Sequence, residues 1–344
     1  MTSIDLFDYQ LPERLIAQRP SAGRGESRLM AVNRADGRTR HLRFADFPSL
    51  LREGDTLAIN VTKVFPARLI TRRKTGAVVE ILLIRNLGGG EWEALAGGAQ
   101  KVKDGEVLLA GDGAVTFLKK RDDGKALVRF EPESEMKRLT ETFGQVPLPP
   151  YIKRESGAAD SADRDRYQTV FASLEGSCAA PTAGLHFSDA IMEKIKRLGV
   201  VVVPVTLHVG PGTFRPVKSE VIEDHVMDAE PFEISEDSAQ AINAAKREKR
   251  RVVAVGSTVT RLLESAAGDN GLLRHGRGET RLFITPGYKF RAVDALLTNF
   301  HLPKSTLLIL VSAFMGRELA LKAYEEAVRE EYKFFSYGDA MFIE

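Results

Sequence analysis

A single cysteine, Cys178, stands among 344 residues, so the chain can form no internal disulfide and no thiolate cluster for zinc. That scarcity fits a reducing compartment, and the cytoplasm is expected. Its small apolar neighbours, Ala179 and Ala180, mark Cys178 as a buried, inert thiol rather than a nucleophile. Long apolar runs are also missing. Even LLILVSAFM at 307–315 is half of the roughly 18 residues that a membrane helix needs, and the start MTSIDLFDYQLPERL has acids where a signal peptide needs bases. Excess charge of one sign is absent: the formal net charge is +2, so nucleic-acid binding would need a local basic patch. The chain has no GxGxxG, no GxxxxGK[ST] and no HExxH, which gives no sign of a dinucleotide, a triphosphate or a zinc protease. His186, His208, His225 and His301 lie far apart, and metal-free chemistry is expected.

What is present points to two domains, since 344 residues exceed a typical single one. Between about Val61 and Phe143 the chain is a series of short β-rich runs, FPARLIT, AVVEILLI, EWEAL, EVLLA, AVTFL and KALVRF, punctuated by glycine pairs and Asp-Gly turns. Such strands close most economically into a small barrel, because closure removes exposed edges. The expected organisation is an α/β domain made from residues 1–60 and 147–344, with a β-barrel inserted at 61–146. On the insert, Arg72, Arg73, Lys101 and Lys103 form candidate phosphate-contacting patches.

The segment AAPTAGLHFSDAIMEKIKRLGVVVVPVTLHVGPGTFRP at 179–216 sets two histidines in constrained loops around an ordinary helix and strand. His186 follows Pro181, Thr182 and Gly184, while His208 precedes Gly210, Gly212, Thr213 and Arg215. Ser188 caps the expected helix, Ile191, Ile195 and Leu198 share its apolar face, and Gly199 ends it. Pro204 within the run 200–205 implies an edge or a bulge. Further on, Gly256-Ser257-Thr258 joins a strand to a helix, a recurrent ligand position because the first helical N–H groups lack partners. Asn299-Phe300-His301-Leu302-Pro303 is another constrained polar turn. The run TLLILVSAF after it fits either a strand or a buried helix.

These blocks closely resemble one family, the S-adenosylmethionine:tRNA ribosyltransferase-isomerases of queuosine biosynthesis. The resemblance is carried by YQLPERLIAQRP at 9–20, VFPARL at 64–69, PLPPYIKR at 147–154, DRYQTVFA at 165–172, AAPTAGLHF at 179–187, VTLHVGPGTFRPV at 205–217, PGYKFRAVDALLTNFHLPKSTLLILVSAF at 286–314 and FFSYGDAM at 334–341. It implies an α/β domain with an inserted barrel, and a reaction on transfer RNA carrying 7-aminomethyl-7-deazaguanine. S-Adenosylmethionine would be consumed as a ribosyl donor, giving epoxyqueuosine, adenine and methionine.

That reaction requires proton transfers, for which His186, His208 and His301 are the candidates. Arg154, Asp165, Arg166, Tyr167, Gln168, Thr182, Gly184, Gly210, Gly212, Thr213, Arg215, Ser257, Thr258, Asn299, Tyr337 and Asp339 are the candidate substrate contacts. The three histidines are expected in one cleft beside Arg215 and the Gly256–Thr258 turn. No obligate protein partner is expected. A noncatalytic RNA-binding protein and an ordinary S-adenosylmethionine-dependent RNA methyltransferase are the alternatives. Three sites depart from the family pattern: Val61 stands where an aspartate is common, VGSTVTR replaces Val-Gly-Thr-Thr-Ser-Val-Arg at 255–261, and Glu279-Thr280-Arg281 replaces Trp-Thr-Asp.

Overall fold

The computed structural model describes residues 1–121, 123–154, 161–210, 212, 217 and 219–344. In chain order, β1 (Arg28–Val32), β2 (Thr39–Arg43), β3 (Thr56–Asn60) and β4 (Thr62–Val64) lead into the barrel strands β5 (Arg68–Arg72), β6 (Val78–Gly88), β7 (Glu91–Gly97), β8 (Glu106–Ala110), β9 (Gly113–Lys120) and β10 (Ala126–Arg129). Next come α1 (Glu135–Phe143), α2 (Ser161–Arg166), β11 (Leu174–Ser177), α3 (Asp189–Arg197), β12 (Val201–Leu207), β13 (Glu230–Ile234), α4 (Glu236–Arg247), β14 (Val252–Val255) and α5 (Ser257–Ala266). The chain closes with β15 (Gly276–Thr280), β16 (Ala295–Asn299), α6 (Thr306–Met315), α7 (Arg317–Arg329) and β17 (Ala340–Ile343).

Both chain ends build one nine-stranded sheet in the order β15-β13-β12-β3-β14-β16-β17-β1-β2. Its centre, β12-β3-β14-β16, is parallel throughout. Burial on both faces explains why β3, β14 and β16 read as unbroken runs with every residue inside. Alternate side chains serve different layers. Leu57 and Ile59 pack with Phe44, Phe47, Ile191 and Ile195, whereas Ala58 faces the opposite layer with Ile242, Leu262 and Leu263 of α4 and α5.

The insert forms a closed antiparallel barrel, β10-β7-β6-β5-β8-β9. Its interior is filled by Leu69, Val79, Ile81, Leu83, Leu108, Val115, Phe117 and Val128, the inward residues of alternating strands. Among the described residues no helix is long and apolar enough to cross a membrane.

Local expectations meet the structure unevenly. Ser188 caps α3 by accepting the Ile191 N–H at 3.3 Å, but Leu198 lies beyond the last turn and is exposed, and Met192 takes the buried place. Pro204 sits inside the sheet. Yet β12 pairs with β13 only at Thr206 and Leu207, so on that side Pro204 occupies an edge and its missing N–H breaks no ladder. The ambiguous TLLILVSAF run is helix α6, whose N-terminus is capped by Ser305 accepting the Leu308 N–H at 3.2 Å.

Candidate active site

The parallel centre of the sheet assembles the site. Because β3, β12, β14 and β16 run the same way, their carboxyl ends lie along one edge. The residues at or just past these ends are Thr62, His208, Gly256-Ser257-Thr258 and Asn299-Phe300-His301, the segments that the sequence singles out or borders.

Two cavities open at this edge. The larger, about 740 Å³, lies between the barrel and the sheet. Barrel-side residues Phe65, Trp92, Arg121 and Lys125 face Gly176, His208, Gly210, Asp228 and Arg281 across it. A volume of this size takes a nucleoside-sized ligand. The smaller, about 30 Å³, is lined by Thr182, Gly256, Ser257, Thr258, Asn299 and His301. Val209 borders both.

The three histidines therefore differ. His208 presents its ring to the large cleft. Its Nδ1 lies 2.8 Å from the Thr62 hydroxyl, and partial burial pulls its pKa down while Glu233 opposes the shift. His301 lines the small cavity, with Nε2 at 2.7 Å from the Thr298 hydroxyl; burial pushes its pKa down to about 3. His186 lines neither cavity. It is buried, stacked on Phe44 with ring centroids 5.0 Å apart, with Nδ1 at 2.7 Å from the Ser27 hydroxyl and Nε2 at 3.1 Å from Asn299 Nδ2.

Asn299 fixes the His186 proton. Asn299 Nδ2 also donates to the Phe335 carbonyl at 3.1 Å, and Oδ1 accepts from the Thr182 hydroxyl at 3.1 Å, so His186 Nε2 must accept and Nδ1 must carry hydrogen. Burial and the nearby Arg24 charge depress its pKa to about 4. The ring therefore contacts Asn299, and through it Thr182, from outside the small cavity that both line.

Several candidate contacts have their polar groups occupied inside the protein. Arg154 grips Asp163 through Nε and Nη2 at 2.7 and 2.9 Å, and the Tyr337 hydroxyl donates to the same carboxylate at 2.8 Å. Asp339 accepts the Arg28 and Lys333 N–H groups, both at 2.7 Å. Gln168 clamps Val64, accepting its N–H and donating to its carbonyl, both at 3.1 Å. Tyr167 is buried with Ala17, Ile152 and Leu185, and Arg166 donates to the Ser21 and Ala22 carbonyls. Asp165 is exposed, and its carbonyl accepts from Arg24 at 3.1 Å. None of these residues lines either cavity.

Gly184 is a packing glycine: a Cβ there would lie 2.8 Å from Phe171 and Thr169. Gly210 donates its N–H to Glu230 at 3.1 Å on the cleft wall, and Gly212 lies against the Asp228 carboxylate. Thr213 and Arg215 lie outside the described residues, so the expected proximity of Arg215 to the histidines does not enter the site.

The barrel patch is remote from the cleft. β5 leaves the cleft wall at Pro66, and its far end at Arg72 pairs with Val78, while Gly97, just before Lys101 and Lys103, pairs with Glu80. Arg73 is held there by Glu106 through a two-pronged pair at 2.7 and 2.9 Å. Arg72, Lys101 and Lys103 are exposed.

Sequence reading passed over Thr62, Gly176, Lys125 and Asp228. Lys125 reaches from the barrel toward Asp228 at 3.9 Å, and Arg85 meets Glu279 at 3.2 Å, so two ion pairs span the cleft. Glu279 and Arg281 line that cleft. Among the described residues no cluster of three or more His, Cys, Asp or Glu side chains is arranged to hold a metal ion. Cys178 is buried, its thiol pushed up to about 12 by desolvation and its Sγ 3.2 Å from the Val209 carbonyl.

An open, mixed sheet with helices on both faces and a barrel set across the carboxyl ends of its parallel strands defines a two-part α/β protein with a ligand cleft at the junction. Residues 4–343 match the family described as queuosine biosynthesis protein, and the chain belongs to this family of enzymes. Two relatives named S-adenosylmethionine:tRNA ribosyltransferase-isomerase, from Geobacter sulfurreducens and Geotalea uraniireducens, are 49% and 48% identical over 98% of both chains in each comparison. A third of that name, from Halothermothrix orenii, is 46% identical over 99% of both chains. The chain also resembles the crystal structure of S-adenosylmethionine tRNA ribosyltransferase from Thermotoga maritima, with 36% identity, a TM-score of 0.57, and coverage of 98% of this chain and 100% of that one.

Proposed function

We propose that this enzyme transfers the ribosyl portion of S-adenosylmethionine to the aminomethyl nitrogen of 7-aminomethyl-7-deazaguanine at the wobble position of transfer RNA, and isomerises it to the epoxycyclopentanediol of epoxyqueuosine. The observation that carries this reading is the 740 Å³ cleft between barrel and sheet, with His208 on its wall, in a chain of this family. The sulfonium acidifies the ribose C5′ proton, so a base in the cleft starts the reaction by removing it. Adenine leaves C1′ with the electron pair of the glycosidic bond and takes up a proton, which balances the one lost from C5′. Loss of the C5′ proton breaks C4′–O4′, and O4′ becomes the C1′ carbonyl oxygen as adenine departs. The aminomethyl group, having shed its extra proton, bonds through nitrogen to C4′ and releases a second proton; the C5′ carbanion regenerated there closes the ring on C1′, and the alkoxide so formed displaces methionine from C5′ as the epoxide oxygen.

Fixed donors and charges on the cleft walls, among them Arg121, Lys125 and Arg281, meet developing charge without reorganising. On this reading His208 touches the reacting groups, while His301, Ser257, Thr258, Thr182 and Asn299 hold a polar end of the co-substrate at the small cavity. His186 acts from behind as a positioning residue. Arg72, Lys101 and Lys103 on the far end of the barrel meet RNA phosphates away from the modified base, and the enzyme works in the cytoplasm.

The test is one incubation of protein, S-adenosylmethionine and precursor-bearing RNA, followed by mass spectrometry. Epoxyqueuosine, adenine and methionine are expected. Methylated RNA with S-adenosylhomocysteine would establish the methyltransferase alternative, and RNA binding without consumption of S-adenosylmethionine would establish a noncatalytic protein.

A further inference from the structure

The Thr62 side chain is fully buried, and its hydroxyl has one hydrogen-bond partner among the described residues, His208 Nδ1 at 2.8 Å. The backbone around it is fixed. Asn60 Oδ1 accepts the N–H of Thr62 and of Leu207, both at 3.1 Å, and Nδ2 donates to the Leu207 carbonyl at 2.9 Å. Asn60 therefore ties the end of β3 to the strand that delivers His208. On another side of the ring, Gly176 has φ +149°, and a Cβ there would lie 2.6 Å from His208 Cε1. Only a glycine lets the ring rest in this position.

A hydroxyl can donate one hydrogen and also accept. If His208 Nδ1 carried hydrogen, the Thr62 proton would be buried with no acceptor, which disfavours that tautomer by roughly tenfold or more. If Thr62 donates, Nδ1 is the acceptor and the neutral ring carries its hydrogen on Nε2. That edge has no partner among the described residues and belongs to a ring on the cleft wall.

We propose that Thr62 is a positioning residue that holds His208 as the Nε2–H tautomer, so that the cleft meets a hydrogen-bond donor for an acceptor nitrogen of a purine leaving group, and the C5′ base is a different group. This deepens the reading of the preceding section and rests on it for the identity of the purine.

Nitrogen-15 NMR of histidine-labelled full-length protein tests the tautomer without turnover, with the His208→Gln variant assigning the signals. The expected wild-type spectrum has a pyrrole-type Nε2 and a pyridine-type Nδ1 at His208, retained in Thr62→Ser and lost in Thr62→Val. In single-turnover adenine release, Thr62→Val is expected to slow the reaction about tenfold with little change in KM, and Thr62→Ser to restore most of it. Unchanged His186 and His301 signals in Thr62→Val would show that the fold is kept. A pyrrole-type Nδ1 in the wild type, or a Thr62→Val variant that keeps both tautomer and rate, overturns the proposal. The expected tautomer in a protein that releases no adenine overturns the reaction assignment and leaves the hydrogen-bond assignment standing.

Discussion

Mild acid should destabilise this protein through its interior histidines. His186 and His301 are buried and neutral, with pKa values pushed down from 6.5 to about 4 and about 3. The folded values are the depressed ones, so as pH falls through 6.5 the unfolded chain takes up protons that the native state refuses. Their contribution to stability is complete above the unfolded value and is lost as pH falls toward 4 and 3. At about pH 5.5 the native rings remain mostly neutral, so the loss depends chiefly on the unfolded pKa: each site costs roughly 1 to 2 kcal/mol relative to pH 7.5, and the two together about 3 kcal/mol. His208 and His225, also depressed by burial, add in the same direction.

Urea unfolding at the two pH values, followed by far-ultraviolet circular dichroism, measures this difference. Trp92 lies in the barrel core, so its fluorescence reports the wrong part of the molecule. Replacing His186 with Gln should reduce the pH-dependent difference by roughly half, whatever it does to absolute stability. Stability that is flat or rises between pH 7.5 and 5.5 would refute the assignment of these rings as neutral interior groups.

Glu264 offers a test of the wall beside α5: its oxygens accept the N–H groups of Arg291, Ala292 and Val293 at 2.9 to 3.0 Å and the Tyr288 hydroxyl at 3.2 Å. Glu264→Gln turns an amide donor toward two of these donors and should cost about 2 to 4 kcal/mol in urea unfolding; a loss below about 1 kcal/mol would count against this accounting. Gly176→Ala places a methyl group 2.6 Å from His208 Cε1 and should slow turnover at least tenfold while leaving RNA affinity unchanged; equal rates would separate Gly176 from the histidine. Replacing Arg72, Lys101 and Lys103 together with Ala should weaken RNA binding and flatten its logarithmic salt dependence by roughly 0.7 to 0.9 per lost phosphate contact. Filter-binding titrations at several salt concentrations check this, and an unchanged slope would move the RNA off that end of the barrel.

The sheet and barrel were legible where burial leaves a periodic trace. β14 is apolar without break because both faces are covered, and the barrel strands alternate because one face is solvated. α6 was not legible, since a helix buried on nearly all sides has no polar stripe to reveal its period. The site was readable as loops but not as roles. Arg154 and Asp163 are nine positions apart, and nothing in the residue types says that they hold each other while Tyr337 closes on the same carboxylate. Nor does a threonine 146 positions from His208 announce that it contacts that ring. Hydrogen-bond partners are set by tertiary packing, whereas a helix cap such as Ser188 is set by a neighbour three residues away and is legible directly.

The same topology explains why polar segments far apart in sequence meet without a metal motif or a glycine-rich phosphate loop to announce them. Four parallel strands deliver their next residues to one edge, and the antiparallel β17 and β13 beside this block do not. The barrel begins just past the end of β3, after the short β4, so the insertion point itself sets the barrel over that edge. A cleft there has one wall supplied by strand ends and another supplied by β6, β7, α1 and the turn between β9 and β10. Glu279 and Arg281 project from the β15 region into this junction, and Arg85 meets Glu279 from the barrel side. These two positions therefore sit where barrel and sheet meet across the cleft, on the same cavity as the strand-end group His208.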